Sequence, residues 1–232
     1  MNNIISIVDF SQDYKSCFTT SEKIALFSGY KKQVVDNLIR EHQEDFKLVT
    51  KTPPLLKSEG INGTKDYKTY FVLNRTQAMF LLTLMRNNEK IIKFKAALIV
   101  AFENMERELL RREETRLIGK EVRKNLTDEI QLINDLNENE DRFIKWSFSL
   151  YSDLIYKYAF NKTSKQLKIE KGVADLKKRT VRDFMTIEEL NKIKQTEDII
   201  IKYIYKNKIY KLKANEAYQK VKEYLFNNSI DK

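Results

Sequence analysis

"TTSEKIALFSGYKKQVVDNLIREH", Thr19 to His42, is the stretch on which the reading of this chain turns. Thr19 followed by Glu22 has the spacing of a capping box, in which side chain and backbone at a helix start satisfy each other, and predicts a helix through Ser28. Gly29 then tolerates the positive φ that ends a helix. A second helix is predicted from Tyr30 to His42, with Val34, Val35, Leu38 and Ile39 on one apolar face. Ala25 supplies a small side chain where two helices of a helix-turn-helix cross closely. The polar face of the second helix carries Lys31, Lys32, Gln33, Asn37 and Arg40. Gln and Asn can pair bidentately with adenine and Arg with guanine, so this is a candidate DNA-reading face. Ala-x-x-x-Gly helix pairs also occur in ordinary helical hairpins, and Asp36 and Glu41 add negative charge to the same helix. The spacing alone leaves both readings open.

Downstream, two β-prone segments, Phe46–Thr50 and Lys68–Leu73, flank a polar stretch with the turn signal Asn62-Gly63, and predict a hairpin with a long tip. Pro53 and Pro54 keep their region out of a central strand. Such a hairpin would act as a wing that brings Lys57 and Lys65 near phosphates. Upstream, "IISIVDF" predicts a short edge strand. After the hairpin, "NRTQAMFLLTLMRN" predicts a buried helix. A longer one follows, with Phe94, Leu98, Ala101, Phe102, Met105 and Leu109 as its apolar stripe. That stripe fades at "RREETR", which predicts an exposed helical connector with a solvated face.

Beyond it, helices are predicted at Leu126–Leu136, Phe143–Phe160, Thr186–Tyr205 and near Ala214–Phe226, with Thr186 and Glu189 as a second capping box. Trp146, Phe148, Leu150, Leu154, Ile155 and Tyr158 are the expected core of this half. The expected organisation is therefore a domain at 1–112, a connector at 113–122 and a helical module at 123–232. The fold class is mostly α (α+β).

The chain has 232 residues, 5 Gly and 2 Pro, a scarcity of breakers that favours long helices. Its net charge of +10 suits nucleic acid, an acidic protein or an anionic surface. The positive excess concentrates in Lys157–Arg182 and Lys202–Lys222, where Lys177, Lys178, Arg179 and Arg182 form a candidate patch for a protein partner. Cys17 is the single cysteine, so neither an intramolecular disulfide nor a Cys-based zinc site is expected. His42 is the single histidine, which leaves little footing for Ser-His or Cys-His catalysis. "GINGT" lacks the Lys-Ser/Thr ending of a phosphate loop. No enzyme, cofactor or metal is expected. The N-terminus lacks the pattern of a signal peptide, and the run "AALIVAF" falls far short of the ~20 residues of a membrane span, so a cytoplasmic, membrane-free protein is expected.

"TTSEKIALFSGYKKQVVDNLIREHQEDF" and "YFVLNRTQAMFLLTLMRNNEKIIKFKAALIVAFENMERELL" together resemble the phage regulatory protein Rha domain, from about Ile5 to Leu110. The resemblance implies a phage or prophage origin in a bacterial host, a winged-helix-like DNA-binding domain, and a role in transcription regulation or antirepression. The chain departs from the family pattern at Tyr30 and Lys31, where His is frequent, and in a longer insert around Leu55–Lys65. "WSFSLYSDLIYKYAFNKTSKQLK" and the segment "VRDFMTIEELNKIKQTEDIIIKYIYKNKIYKLK" resemble a helical tail of phage antirepressor-type proteins.

Two functional expectations follow. One is a regulator that binds double-stranded DNA as a homodimer. The other is a phage-encoded inhibitor that binds a host or defence protein, in the manner of an anti-CRISPR or repressor-sequestering protein, with an acidic protein or an RNA-containing complex as partner.

Overall fold

The computed structural model describes residues 6–60, 66–136, 141–176 and 179–227. The fold is mostly helical with a small antiparallel sheet, and the chain divides into two compact units, Met1–Leu110 and Arg111–Lys232.

The first unit begins with β1 (Asp9–Phe10) and β2 (Cys17–Thr20), followed directly by α1 (Ser21–Ser28), α2 (Lys32–Glu41) and α3 (Gln43–Val49). A hairpin of β3 (Leu55–Gly60) and β4 (Tyr67–Leu73) comes next, then α4 (Arg75–Leu84). Among the described residues the sheet has four strands in the order β1-β2-β4-β3, all antiparallel, so β4 lies between the strand that precedes the helices and the strand that follows them. Ile24, Ile39, Phe46, Leu73, Leu81, Leu98 and Phe102 are fully buried together. Each such side chain contributes about 1.5–3 kcal/mol by leaving water.

Three local expectations change. The start of α1 is capped by Thr20, whose Oγ1 accepts from the Lys23 N–H at 3.3 Å. Thr19 belongs to β2, where its hydroxyl donates to the Ile7 carbonyl at 2.6 Å, and Glu22 pairs with Lys68 instead of closing a capping box. Phe46–Thr50 is not a strand. Phe46 is buried on α3, edge-on to Phe80 at 5.0 Å, and Glu44–Lys47 is an ion pair at helical spacing. The first strand of the hairpin is Leu55–Gly60, which is exposed along its whole length and so carries no alternating apolar signal. Of the expected "IISIVDF" strand only Asp9 and Phe10 are extended in a ladder, and residues 4–5 lie outside the described residues.

The helix α5 runs unbroken from Glu89 to Asp135, through the expected connector. Phe94, Leu98 and Phe102 face the first unit's core, with Ala101, Met105 and Leu109 packed against it. The "RREETR" segment is exposed at Arg111, Glu113 and Glu114, as expected, but not at Arg112, which is 6% exposed and whose Nε and Nη2 donate to the carbonyls of Met185 and Asp183 at 2.8 and 2.9 Å.

The second unit is completed by α6 (Asp141–Phe160), α7 (Ser164–Glu170), a short 3₁₀ turn (Val181–Phe184), α8 (Ile187–Lys206), a second such turn (Ile209–Lys211) and α9 (Ala214–Asn227). The Thr186–Glu189 capping box forms as expected at the start of α8. Leu126, Ile130, Tyr151, Ile155, Ile200 and Val221 make the apolar core. Trp146, expected there, is 58% exposed because its side of α6 is turned away from that core, and the Lys145 ammonium lies over its ring.

Within this apolar surround sits a buried ion pair. Glu197, fully buried on α8, accepts from Arg182 Nη2 at 2.6 Å, and Arg182 Nε donates to the Tyr156 hydroxyl at 3.2 Å. A buried carboxylate requires a buried counter-charge, and Arg182 provides it. Removing one partner strands the other. Glu197→Ala is therefore expected to lower stability by about 3–5 kcal/mol in denaturant unfolding. Pairing Arg182→Met with Glu197→Leu should recover most of that loss.

Candidate nucleic-acid interface

The sequence places an adhesive apolar face and a polar face on α2, and the tertiary structure decides which residues each holds. Val35 and Ile39 are buried against Ile24 and Ala25 of α1, and Leu38 is half-buried. Val34, expected on that apolar face, is 46% exposed, since it lies beyond the edge of the α1 contact. The turn between the two helices rests on Gly29. Its φ is +78°, and its N–H donates to the Ala25 carbonyl at 2.9 Å. The start of α1 is tied to the hairpin, because Ser21 Oγ accepts from the Phe71 N–H at 3.1 Å. The other end of the hairpin is tied to α4: Gln77 closes a capping box with Asn74, and its Nε2 donates to the Thr52 carbonyl at 2.9 Å.

Gln33, Asn37 and Arg40 project together into solvent. At 100° per residue they fall within about 60° of arc, one stripe opposite the buried face. Lys31, also exposed, precedes the helix as its cap residue. Arg40 is held in place rather than loose. Its guanidinium lies 5.6 Å from the centre of the buried Phe71 ring and donates to Asn37 Oδ1 at 3.4 Å. Lys32 stands apart from the stripe, half-buried, with its ammonium 2.5 Å from Asp36 Oδ2. This pair removes the negative charge of Asp36 from the polar face and occupies Lys32 at the same time. His42 faces Asp45 across 2.7 Å at the start of α3, a local partner rather than a catalytic one.

The wing residues are redistributed. Lys57 stands opposite Tyr70, while Leu56 stands opposite Phe71. Alternation along a strand therefore puts Lys57 on the face of the hairpin away from Phe71 and Arg40. Ser58, Thr69 and the 73% exposed Tyr67 share the Phe71 face instead. Sequence reading had no means to find them, because the pairing register sets the face. Lys68 is taken up by Glu22 at 2.6 Å, a partner that holds its ammonium above the ordinary lysine range. Lys65 lies outside the described residues.

In the second unit the structure describes two residues of the expected basic patch. Arg182 is buried on Glu197, Lys177 and Lys178 lie outside the described residues, and Arg179 is half-buried. Among the described residues no His, Cys, Asp and Glu cluster has the composition to hold a metal ion, and no helix is long and apolar enough to cross a membrane.

The match that bears on this arrangement covers β2 to the first part of α5. Residues 19–107 match the family of the phage regulatory protein Rha. The Rha match lies inside the first unit and takes in the helix pair, the hairpin and α4. It does not extend into the second unit. The first unit is thus similar, over residues 19–107, to a phage regulatory protein family. No curated protein matches the chain.

Gly29, within the matched region, leaves no room for a side chain. A Cβ there would lie 2.9 Å from Lys90 Cε on a backbone at positive φ. The lysine tip can swing aside, but the backbone strain cannot be relieved. Gly29→Ala is expected to cost about 1–2 kcal/mol in thermal unfolding, and Gly29→Ala with Lys90→Ala should retain most of that cost.

Proposed function

We propose that this protein is a phage or prophage regulator whose first unit reads double-stranded DNA as a winged helix-turn-helix, with α2 as the recognition helix. The observation that carries this reading is the Gln33–Asn37–Arg40 stripe, exposed on a helix whose opposite face is locked into the core. The order strand, helix, left-handed turn, helix, short helix, hairpin, with β4 paired beside β2, supports it. So does the Rha match, which also weighs against an enzyme. Transcription regulation and antirepression both follow from such a reader.

In this reading Lys31 and the helix stripe meet the major groove, and the Ser58, Thr69 and Tyr67 side of the wing lies along the backbone beside it. The protein acts as a homodimer. The face for its partner is the exposed Ile92, Ile99 and Leu110 on one line of α5, since the Phe94–Leu109 stripe is taken up by the core.

A second reading rests on apolar exposure that DNA does not require. Leu48 is 83% exposed, Leu55 61%, Leu56 49% and Tyr67 73%, all on α3 and the hairpin. Such a surface suits an inhibitor that grips a host or defence protein.

The two readings separate in one experiment. Binding to random and selected duplexes is measured over a salt series, for the wild type and for Gln33→Ala/Asn37→Ala/Arg40→Ala. A DNA reader loses affinity with salt at a slope of about −0.9 per phosphate contacted. The triple variant should lose about 1–3 kcal/mol of discrimination per base contact removed, with folding unchanged. Equal affinity of both proteins for every duplex would sink the base-reading role. Nuclease-resistant capture of a host protein that is lost in Leu48→Asp/Tyr67→Ala would favour the inhibitor.

A further inference from the structure

In the order β1-β2-β4-β3, the strand β3 is an edge, with no neighbour on its outer side among the described residues. Every residue of Leu55–Gly60 is exposed, so no described helix or loop covers the strand. It is paired with β4 along its whole length, from Leu55 opposite Val72 to Gly60 opposite Tyr67, and is held extended by that ladder. Alternate residues of such an edge turn their N–H and carbonyl groups outward, open to a further strand. Neither a proline nor a bulge interrupts it. Its two charged side chains, Lys57 and Glu59, share the face of the hairpin away from Phe71.

The charges fit a second copy of the same strand. In an antiparallel ladder, residues that face each other both turn their backbone groups toward the partner or both away. That parity alternates along a strand, so two copies of β3 pair symmetrically only with the two-fold axis at a residue. Centring on Lys57 sets two ammonium groups opposite each other, and centring on Glu59 sets two carboxylates opposite each other, both unfavourable. Centring on Leu56 brings Pro53 and Pro54 opposite Glu59 and Ser58, and proline has no N–H for the ladder. Centring on Ser58 sets Lys57 of each copy opposite Glu59 of the other, with Leu56 opposite Gly60. Both charged groups are available for this. Lys57 has no ion pair among the described residues, and Glu59 accepts a long hydrogen bond from the Tyr70 hydroxyl at 3.5 Å.

We propose that β3 is a self-pairing edge that joins two copies of this chain through an antiparallel β3–β3 ladder centred on Ser58. The two four-stranded sheets then become one continuous sheet. Residues opposite one another in a ladder share a face, so the Ser58 and Phe71 sides of both copies look the same way. Arg40 lies over Phe71, so the two α2 stripes stand on one side of the joined sheet and the Lys57–Glu59 pairs on the other. The contact is separate from the exposed α5 residues and does not depend on DNA. Where DNA is read, it links chains on neighbouring sites and makes their occupancy cooperative.

Cross-linking of the full-length protein tests the proposal. Ser58→Cys is treated with a short bismaleimide, and the wild type, whose one thiol Cys17 is buried, is the control. Directly opposite Cβ atoms lie about 4.5–5.5 Å apart, so residue 58 should link to itself and give a dimer that the wild type does not. A dimer joined through α5 alone gives no such product. In the Ser58→Cys background, Lys57→Glu and Glu59→Lys should each lower the dimer yield about fivefold by setting like charges opposite each other. An equimolar mixture of these two variants should restore it, because each charge then meets its complement on the other chain. Circular dichroism melts verify that every variant folds. The proposal is overturned if Ser58→Cys gives no more dimer than the wild type, or if the mixture cross-links no better than the single variants.

Discussion

The left-handed turn at Gly29 is the constraint on which the first unit depends. A φ of +78° ends α1 and redirects the chain so that Val35 and Ile39 come down on Ile24 and Ala25. Any other entry angle would rotate α2 about its axis and bury part of the polar stripe. The turn thus fixes two things together: which residues make the core and which remain available for recognition. Ser21 then locks the start of α1 to Phe71, and Phe71 in turn supports Arg40 from beneath. The stripe is held by the same contacts that hold the fold.

The second unit is organised around a different constraint, the need of buried Glu197 for a cation. Arg182 meets it from the 3₁₀ turn and Arg123 approaches from α5, while Arg112 anchors the same turn through its carbonyls. Basic residues that look like surface charge therefore act as internal ties. Arginine suits this because its planar fork stays charged when desolvated and can satisfy several acceptors together.

The two halves were unequally legible. Gly29, the Thr186–Glu189 box and the Phe94–Phe102 stripe could be read directly, because turn chemistry, caps and helical periodicity act over a few residues. The exposed Gln33, Asn37 and Arg40 followed from the same periodicity. The second strand of the hairpin lies where the pattern puts it, but the first does not, because β3 is an exposed edge strand whose backbone pairing with β4, not its side chains, makes it a strand. Hydrophobicity alone places Trp146 in the core, and its helix turns it outward.

The sequence by itself determined the pair of helices joined at Gly29, the predominance of helix and the resemblance that the Rha match bears out over residues 19–107. Only the tertiary structure decided the fate of individual charges. Whether Lys32, Lys57, Arg112 or Arg182 faces solvent depends on a partner that is distant in the chain or on a strand register. Local pattern carries no information about either. A charged side chain is placed by the balance between hydration and a specific counter-charge, and that balance exists only once the chain has folded.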